Sequence, residues 1–208
     1  SRFMQRYFTG HAALALFEHS DATTNTESLK IAEASLNWLE TNYPASDATN
    51  FHPTLVPWHA LAIAAQYKLN SASPHIKTLY VMSDQLVDLQ SDPEFPGRFF
   101  SETAPNFGRP NVVRDALSTI TLMTSLNIAI DLGDRKRQKK YRKAIWLALD
   151  NLRSLQYDHG VVTNFEQPMK AVGALRFRHN DERIRLDGVV FSAEVFERAA
   201  IMIQNGRL

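Results

Sequence analysis

The 208-residue chain contains no cysteine. That excludes disulfides, thiolate metal sites and a cysteine nucleophile, and it leaves the compartment open. Net charge is also scarce: 23 basic residues against 22 acidic ones leave +1 at pH 7. A general attraction to nucleic acid or to a membrane surface therefore does not follow. No apolar run reaches membrane-spanning length, and no signal-peptide pattern opens the chain. The first residue, Ser1, already borders a helical pattern, which leaves room for repeats before it.

What the chain does have is helical periodicity, over a length that suits a single domain spanning residues 1–208. Seven helices are expected. The first covers Phe8 to His19 with Thr9 as N-cap, and the second runs from an Asn25 or Thr26 cap to about Asn42. The third covers Thr54 to Leu69, and the fourth runs from Ser73-Pro74 to Gln90. The fifth runs from Pro110 to Leu132 and ends at Gly133. Asp134 caps the sixth, which reaches Tyr157, and the last covers Arg185 to Asn205. A short extended pair is expected around Val161 and Leu175.

Two regularities organise these helices. The odd-numbered ones are apolar nearly all round, which predicts burial, and the even-numbered ones are amphipathic, which predicts an outer layer. Leu14, Ala62, Leu117, Ile120 and Val190 are accordingly expected inside, and Lys30, Glu33, Lys140 and Lys143 outside. Met82, Met123 and Met202, with Trp38, Trp58 and Trp146, lie on apolar stripes and read as core, Trp58 being nearest the loops. The second regularity concerns the connections. From an apolar helix to its amphipathic follower they are short, and in the other direction they are long: Tyr43–Pro53, Ser91–Arg109 and Asp158–Ile184. Short connections join antiparallel neighbours, so the long loops should gather on one face, at the N-termini of the inner helices.

This all-α arrangement of helical hairpins in two layers resembles the α/α toroid of the terpenoid cyclases, the protein prenyltransferase β-subunits, and the six-hairpin glycosidases and polysaccharide lyases. The string Y-F-T-G-H-A-A-L-A-L from Tyr7 is similar to the opening of inner helices in such proteins. G-A-L-R-F-R from Gly173, followed by R-L-D at Arg185 to Asp187, is similar to their closing repeat. His11 stands where such openings often carry an acid. Three and a half hairpins against about six imply a partial ring or the C-terminal part of a larger one. The isoprenoid branch of the resemblance is not supported, because the chain lacks D-x-D-D and D-D-x-x-D strings and the cysteine of a prenyltransferase-like zinc site.

The loop face collects candidate chemistry. Helix N-termini with several arginines make an electropositive cup suited to an anionic or oligosaccharide ligand. His52, Trp58, Arg98, Phe99, Arg114, Arg176, Arg178 and Arg185 are the expected ligand-binding residues. Phe95, Phe100, Phe107 and Phe165 are further rings that could stack on sugars. Asp115, Asp187 and His59 are the candidate catalytic groups. Hydrolysis would need two carboxyl groups across one bond, drawn from Asp115, Asp187, Glu102 and Glu166; a lyase would need a base and an arginine beside a uronate. Asp115 and Asp187 have a simpler reading too, as acids that complement helix dipoles beside Arg114 and Arg185. His52 and His59 are seven residues apart with no third ligand, so no metal and no cofactor are expected. The basic run Asp134 to Lys143 reads as a solvated outer face, so nucleic acid is not an expected partner. The expected function is a carbohydrate-active protein, a glycoside hydrolase or polysaccharide lyase. The competing reading is a non-catalytic binding or interaction domain on the same scaffold. The expected partners are a small-molecule or glycan ligand and preceding repeats or a second copy.

Overall fold

The computed structural model describes residues 2–53, 55–102 and 107–208. It is all-α apart from one small hairpin. The elements are α1 (Arg2–Thr23), α2 (Thr26–Asn42), α3 (Val56–Leu69), α4 (Ile76–Asp88), α5 (Val112–Asp131), α6 (Arg135–Ser154), α7 (Pro168–Ala171), β1 (Arg176–Arg178), β2 (Asp181–Ile184) and α8 (Leu186–Gln204). No helix among the described residues is long and apolar enough to cross a membrane.

The helix starts follow local capping chemistry. Asn25, Asn111 and Asp134 each accept the backbone N–H three residues on, at 2.9, 3.2 and 3.0 Å, which satisfies one donor that the first turn leaves free. The expected start at Thr54 lies outside the described residues; α3 itself begins at Val56, with Pro57 in its first turn. Thr9 does not cap α1. The helix begins seven residues earlier, at Arg2, and runs through Thr9 and Gly10 without a break.

The helices pack in two rows. α1 lies on α3, α3 on α5 and α5 on α8. α2 covers α1, α4 lies against α3 and α5, and α6 covers α5. The middle of the inner row is the driest part: every residue of α5 from Asp115 to Leu126 is buried. Ala62, Leu117 and Ile120 are inside as expected, at 0, 8 and 1 % exposed.

The two ends of the row depart from the sequence expectation. Val190 on α8 is 53 % exposed and Leu14 on α1 only half-buried. The reason is positional. α8 rests on α5 by one face, and Leu186, Val190 and Ile201 stand exposed on another. Leu14 looks into a groove floored by Leu61 and Ile128. Trp38 and Trp146 are surface residues rather than core, and Trp146 stands 45 % exposed on the basic face of α6. Lys140 is half-buried because it reaches back to Asp84 of α4 at 3.0 Å, and Glu33 is half-buried as well.

Stacked rings bring the three long loops together. Phe51 of the first stacks on Phe107 of the second at 4.9 Å, and Phe95 of the second on His179 of the third at 4.1 Å. At the opposite ends of the inner helices, Lys68 beside the α3–α4 break pairs with Asp21 beside the α1–α2 break. The long loops thus share one face, as the connection lengths predict.

Gly10 allows α1 to approach α3. A methyl group there would stand 2.9 Å from Cβ of Trp58 and 3.1 Å from the His59 backbone nitrogen. Gly10→Ala should therefore push α1 off α3 and cost about 2 kcal/mol, despite alanine's better helix propensity. Urea unfolding of the variant checks this. Unchanged or increased stability would mean that the helices slide apart freely.

Candidate functional site

The site is built on the N-terminus of α5. A cavity of about 450 Å³ lies between the second long loop, the start of α5 and the β1–β2 turn. Its walls include Glu94, Phe95, Arg98, Phe100, Arg109, Asn111, Asp115, Arg178 and His179.

Asp115 is the central group. It faces inward from the first turn of α5 and is 2 % exposed. Oδ1 accepts the Phe99 N–H at 3.2 Å, and Oδ2 accepts from Nδ2 of Asn151, on α6, at 3.1 Å. Burial nonetheless outweighs these bonds and the nearby Arg98 and Arg114, and pushes the carboxyl up to about 7. Asn151 passes the constraint on. With its amide nitrogen committed to Asp115, its Oδ1 accepts from Nε2 of His179 at 3.0 Å. The proton of a neutral His179 is thereby placed on Nε2, and Nδ1 keeps the lone pair. Burial first, then Arg98 and Arg176, lowers the His179 pKa, which favours the neutral ring.

Three guanidiniums line this cavity. Arg98 pairs with Asp92 at 2.9 Å and lies over the Phe95 and Phe100 rings at 4.9 and 5.3 Å. Arg109 is exposed. Among the described residues, neither Arg109 nor Arg178 forms an ion pair with a carboxylate, and the Nε of Arg178 is buried with no hydrogen-bond partner. Strand alternation in β1 aims these side chains: Phe177 is buried, while Arg176 and Arg178 flank it. The hairpin pairs Arg176 with Ile184 and Arg178 with Asp181 around a turn at His179 and Asn180. The expected extended pair around Val161 and Leu175 is therefore not formed: Val161 lies in a 3-10 turn, and Leu175, just before β1, forms only an isolated bridge to Gln156.

The remaining predicted site residues separate. Trp58, Arg114, Arg185 and Asp187 line a second cavity, beside the first. Asp187 is bound by Arg185 at 3.0 and 2.6 Å, and that bond holds its carboxyl below the usual range, so it complements its helix start rather than serving as an acid. Asp115 and Asp187 open to different cavities. Arg176 donates to the Ser154 carbonyl at 2.9 Å and lines neither cavity. Phe99 contributes its backbone N–H, because its ring is fully buried; Phe107 is core too, and Phe165 packs on Tyr157. Glu102 and Glu166 are exposed and line neither cavity. His52 is half-buried outside both, its carbonyl accepting from Leu55 and Val56. His59 is fully buried, its backbone nitrogen lies under Gly10, both ring nitrogens lack a hydrogen-bond partner among the described residues, and burial lowers its pKa to about 4. It therefore does not reach a ligand. Among the described residues no cluster of histidine and acid residues could hold a metal.

Asn151 and His179 are the participants that the sequence reading lacked. Asn151 carries a visible signal, as a polar residue on the α6 stripe of Ala144, Ala148, Leu152 and Leu155, all buried. His179 carries none beyond its place in a turn. Comparison of the chain with protein-family models, with curated proteins and with solved structures found no match.

Proposed function

We propose that the cavity at the start of α5 binds an anionic saccharide, and that the protein is carbohydrate-active on a scaffold of α/α-toroid type. The observation that carries this reading is Arg178. Its guanidinium lines a cavity of about 450 Å³ with no carboxylate partner among the described residues, beside Arg109 and Arg98. An unpaired guanidinium offers a planar fork suited to a carboxylate or sulfate. The volume falls in the range of small-molecule sites. Phe95 and Phe100 supply ring contacts at the same wall.

Two chemistries fit the groups present. A lyase reaction would use the free Nδ1 of His179 as base, with Arg178 neutralising the uronate carboxylate. A hydrolase would use Asp115, protonated near neutrality, as acid, and Glu94 as the second carboxyl. The non-catalytic reading draws support from Asp115 itself, whose two oxygens both accept protein hydrogen bonds.

Titration calorimetry with a galacturonate oligosaccharide and a neutral glucan of equal length tests the proposal. The acidic ligand should bind, more weakly as salt rises, and the neutral one should not. Arg178→Ala should lose about tenfold or more in affinity while its melting temperature stays nearly unchanged, since among the described residues no protein acid is salt-bridged to it. Equal affinity in variant and wild type would remove Arg178 from the site. Incubation with the same oligosaccharide separates the chemistries: unsaturated uronate absorbance marks a lyase, new reducing ends alone a hydrolase, and an unaltered ligand the binding domain.

A further inference from the structure

We infer that the ligand spans two adjoining cavities, with its acidic group between Arg114 and Arg178 and the ring of a neighbouring unit in an aromatic subsite beside Trp58. This rests on the anionic-saccharide reading above and adds a length requirement to it.

The second cavity, of about 430 Å³, has walls unlike the first. Tyr7, Trp58, Phe177 and Phe191 bring aromatic rings from α1, α3, β1 and α8, and Leu117 adds apolar surface. Trp58 is held in place by His11, whose ring centroid lies 3.6 Å away, and by the edge contact with Phe191 at 6.3 Å. Arg185 and Asp187 at this wall already satisfy each other. A ring with an apolar face fits such walls better than a second anion does.

The two cavities share Asn111, and β1 forms part of the partition, with Phe177 lining the aromatic side and Arg178 the polar side. Arg114 lines the aromatic cavity. It donates to the Arg109 carbonyl and has no carboxylate ion pair among the described residues. Two guanidiniums therefore approach the partition from opposite sides with no acid salt-bridged to either. Burial and the charge of Arg178 both act against the protonated state of Arg114, a repulsion that an anion between them would relieve. A single uronate unit would meet the arginines and leave the aromatic cavity vacant. A ligand of two or more units would meet both.

The test is a length series of galacturonate mono-, di- and trisaccharides, titrated into wild type, Phe191→Ala and Trp58→Ala. Wild type should gain tenfold or more in affinity between the monosaccharide and the longer ligands. Either variant should lose that gain and keep the monosaccharide affinity. Phe191→Ala removes only one ring from the far wall, so it stands as the test should Trp58→Ala fail to fold. Equal affinity for one and three units in wild type would overturn the two-cavity inference while leaving the anionic site intact. A gain with length that Phe191→Ala leaves unchanged would also overturn it, by placing the second unit elsewhere. No binding at any length would remove both the inference and the reading beneath it.

Discussion

Gly97→Ala should be among the most damaging single-methyl changes in this protein. Gly97 sits in the second long loop at φ +94°, a conformation that costs any residue with a side chain about 1–2 kcal/mol. The added carbon would also fall 1.9 Å from the carbonyl oxygen of Leu147 and 2.3 Å from its carbon, both part of the α6 backbone. A helix backbone cannot step aside as a flexible side chain could, so the loop itself must leave. It is pinned there by Gln90, whose side-chain amide donates to the carbonyls of Gly97 and Ala144 at 3.1 and 3.0 Å. Displacing it would pull Arg98 from Asp92 and the Phe99 N–H from Asp115, leaving a buried carboxyl short of a donor. The combined loss is expected to be about 4 kcal/mol, in the range reserved for backbone clashes and broken buried networks. Denaturant unfolding measures it. Ligand affinity in the surviving folded fraction should fall as well, because the same loop carries Phe95, Arg98 and Phe100. A variant of wild-type stability would mean that the loop is not anchored on α6.

That loop also marks how far the sequence could be read. Alternation of short and long connections was enough to bring the three long loops to one face, because it depends only on which helices are adjacent and antiparallel. The caps at Asn25 and Asp134 were legible because capping is settled within four residues. Burial at the ends of the row was not. α8 is as apolar as a core helix, yet Val190 is exposed, since burial depends on what lies beyond the helix and not on the helix itself. The site was half legible for the same reason. Asp115 stands in the first turn of a helix that the pattern locates, and Arg178 in the long loop that the pattern brings to the same face. The Asp115–Asn151–His179 network joins residues 36 and 28 positions apart, and only the packing of α6 on α5 makes it. His59 shows the converse error: its place in an apolar helix start looks the same whether the ring faces a cup or the core.

Two of the buried titratable groups, Asp115 and His59, should give this protein a pH profile that single substitutions expose. Asp115 is raised to about 7 and His59 is lowered to about 4, in both cases chiefly by burial. Their linkage has opposite sign. Between pH of about 4 and 7 the folded state keeps a proton on Asp115 that the unfolded chain has released, so this group makes stability fall as pH rises. Between about 4 and 6.5 the unfolded chain binds a proton at His59 that the folded state refuses, so this group makes stability rise with pH. Each slope is at most about 1.4 kcal/mol per pH unit, and over the shared window they largely cancel. Removing one group should therefore reveal the other. Asp115→Asn should leave a protein whose stability, relative to wild type at each pH, climbs by about 3 kcal/mol between pH of about 4 and 6.5. His59→Leu should show a relative decline of similar size over the same range. It should not be costly at neutral pH, because the ring it replaces makes no hydrogen bond. Taking differences from wild type removes the titration of Glu40, which lies near His59, as far as the sites act independently. Urea midpoints at three or four pH values for the three proteins suffice. Crossing difference curves are the expected result. Two curves of the same sign would show that one of these residues is shifted in the opposite direction, and a flat curve for Asp115→Asn would withdraw the protonated carboxyl from the proposed site.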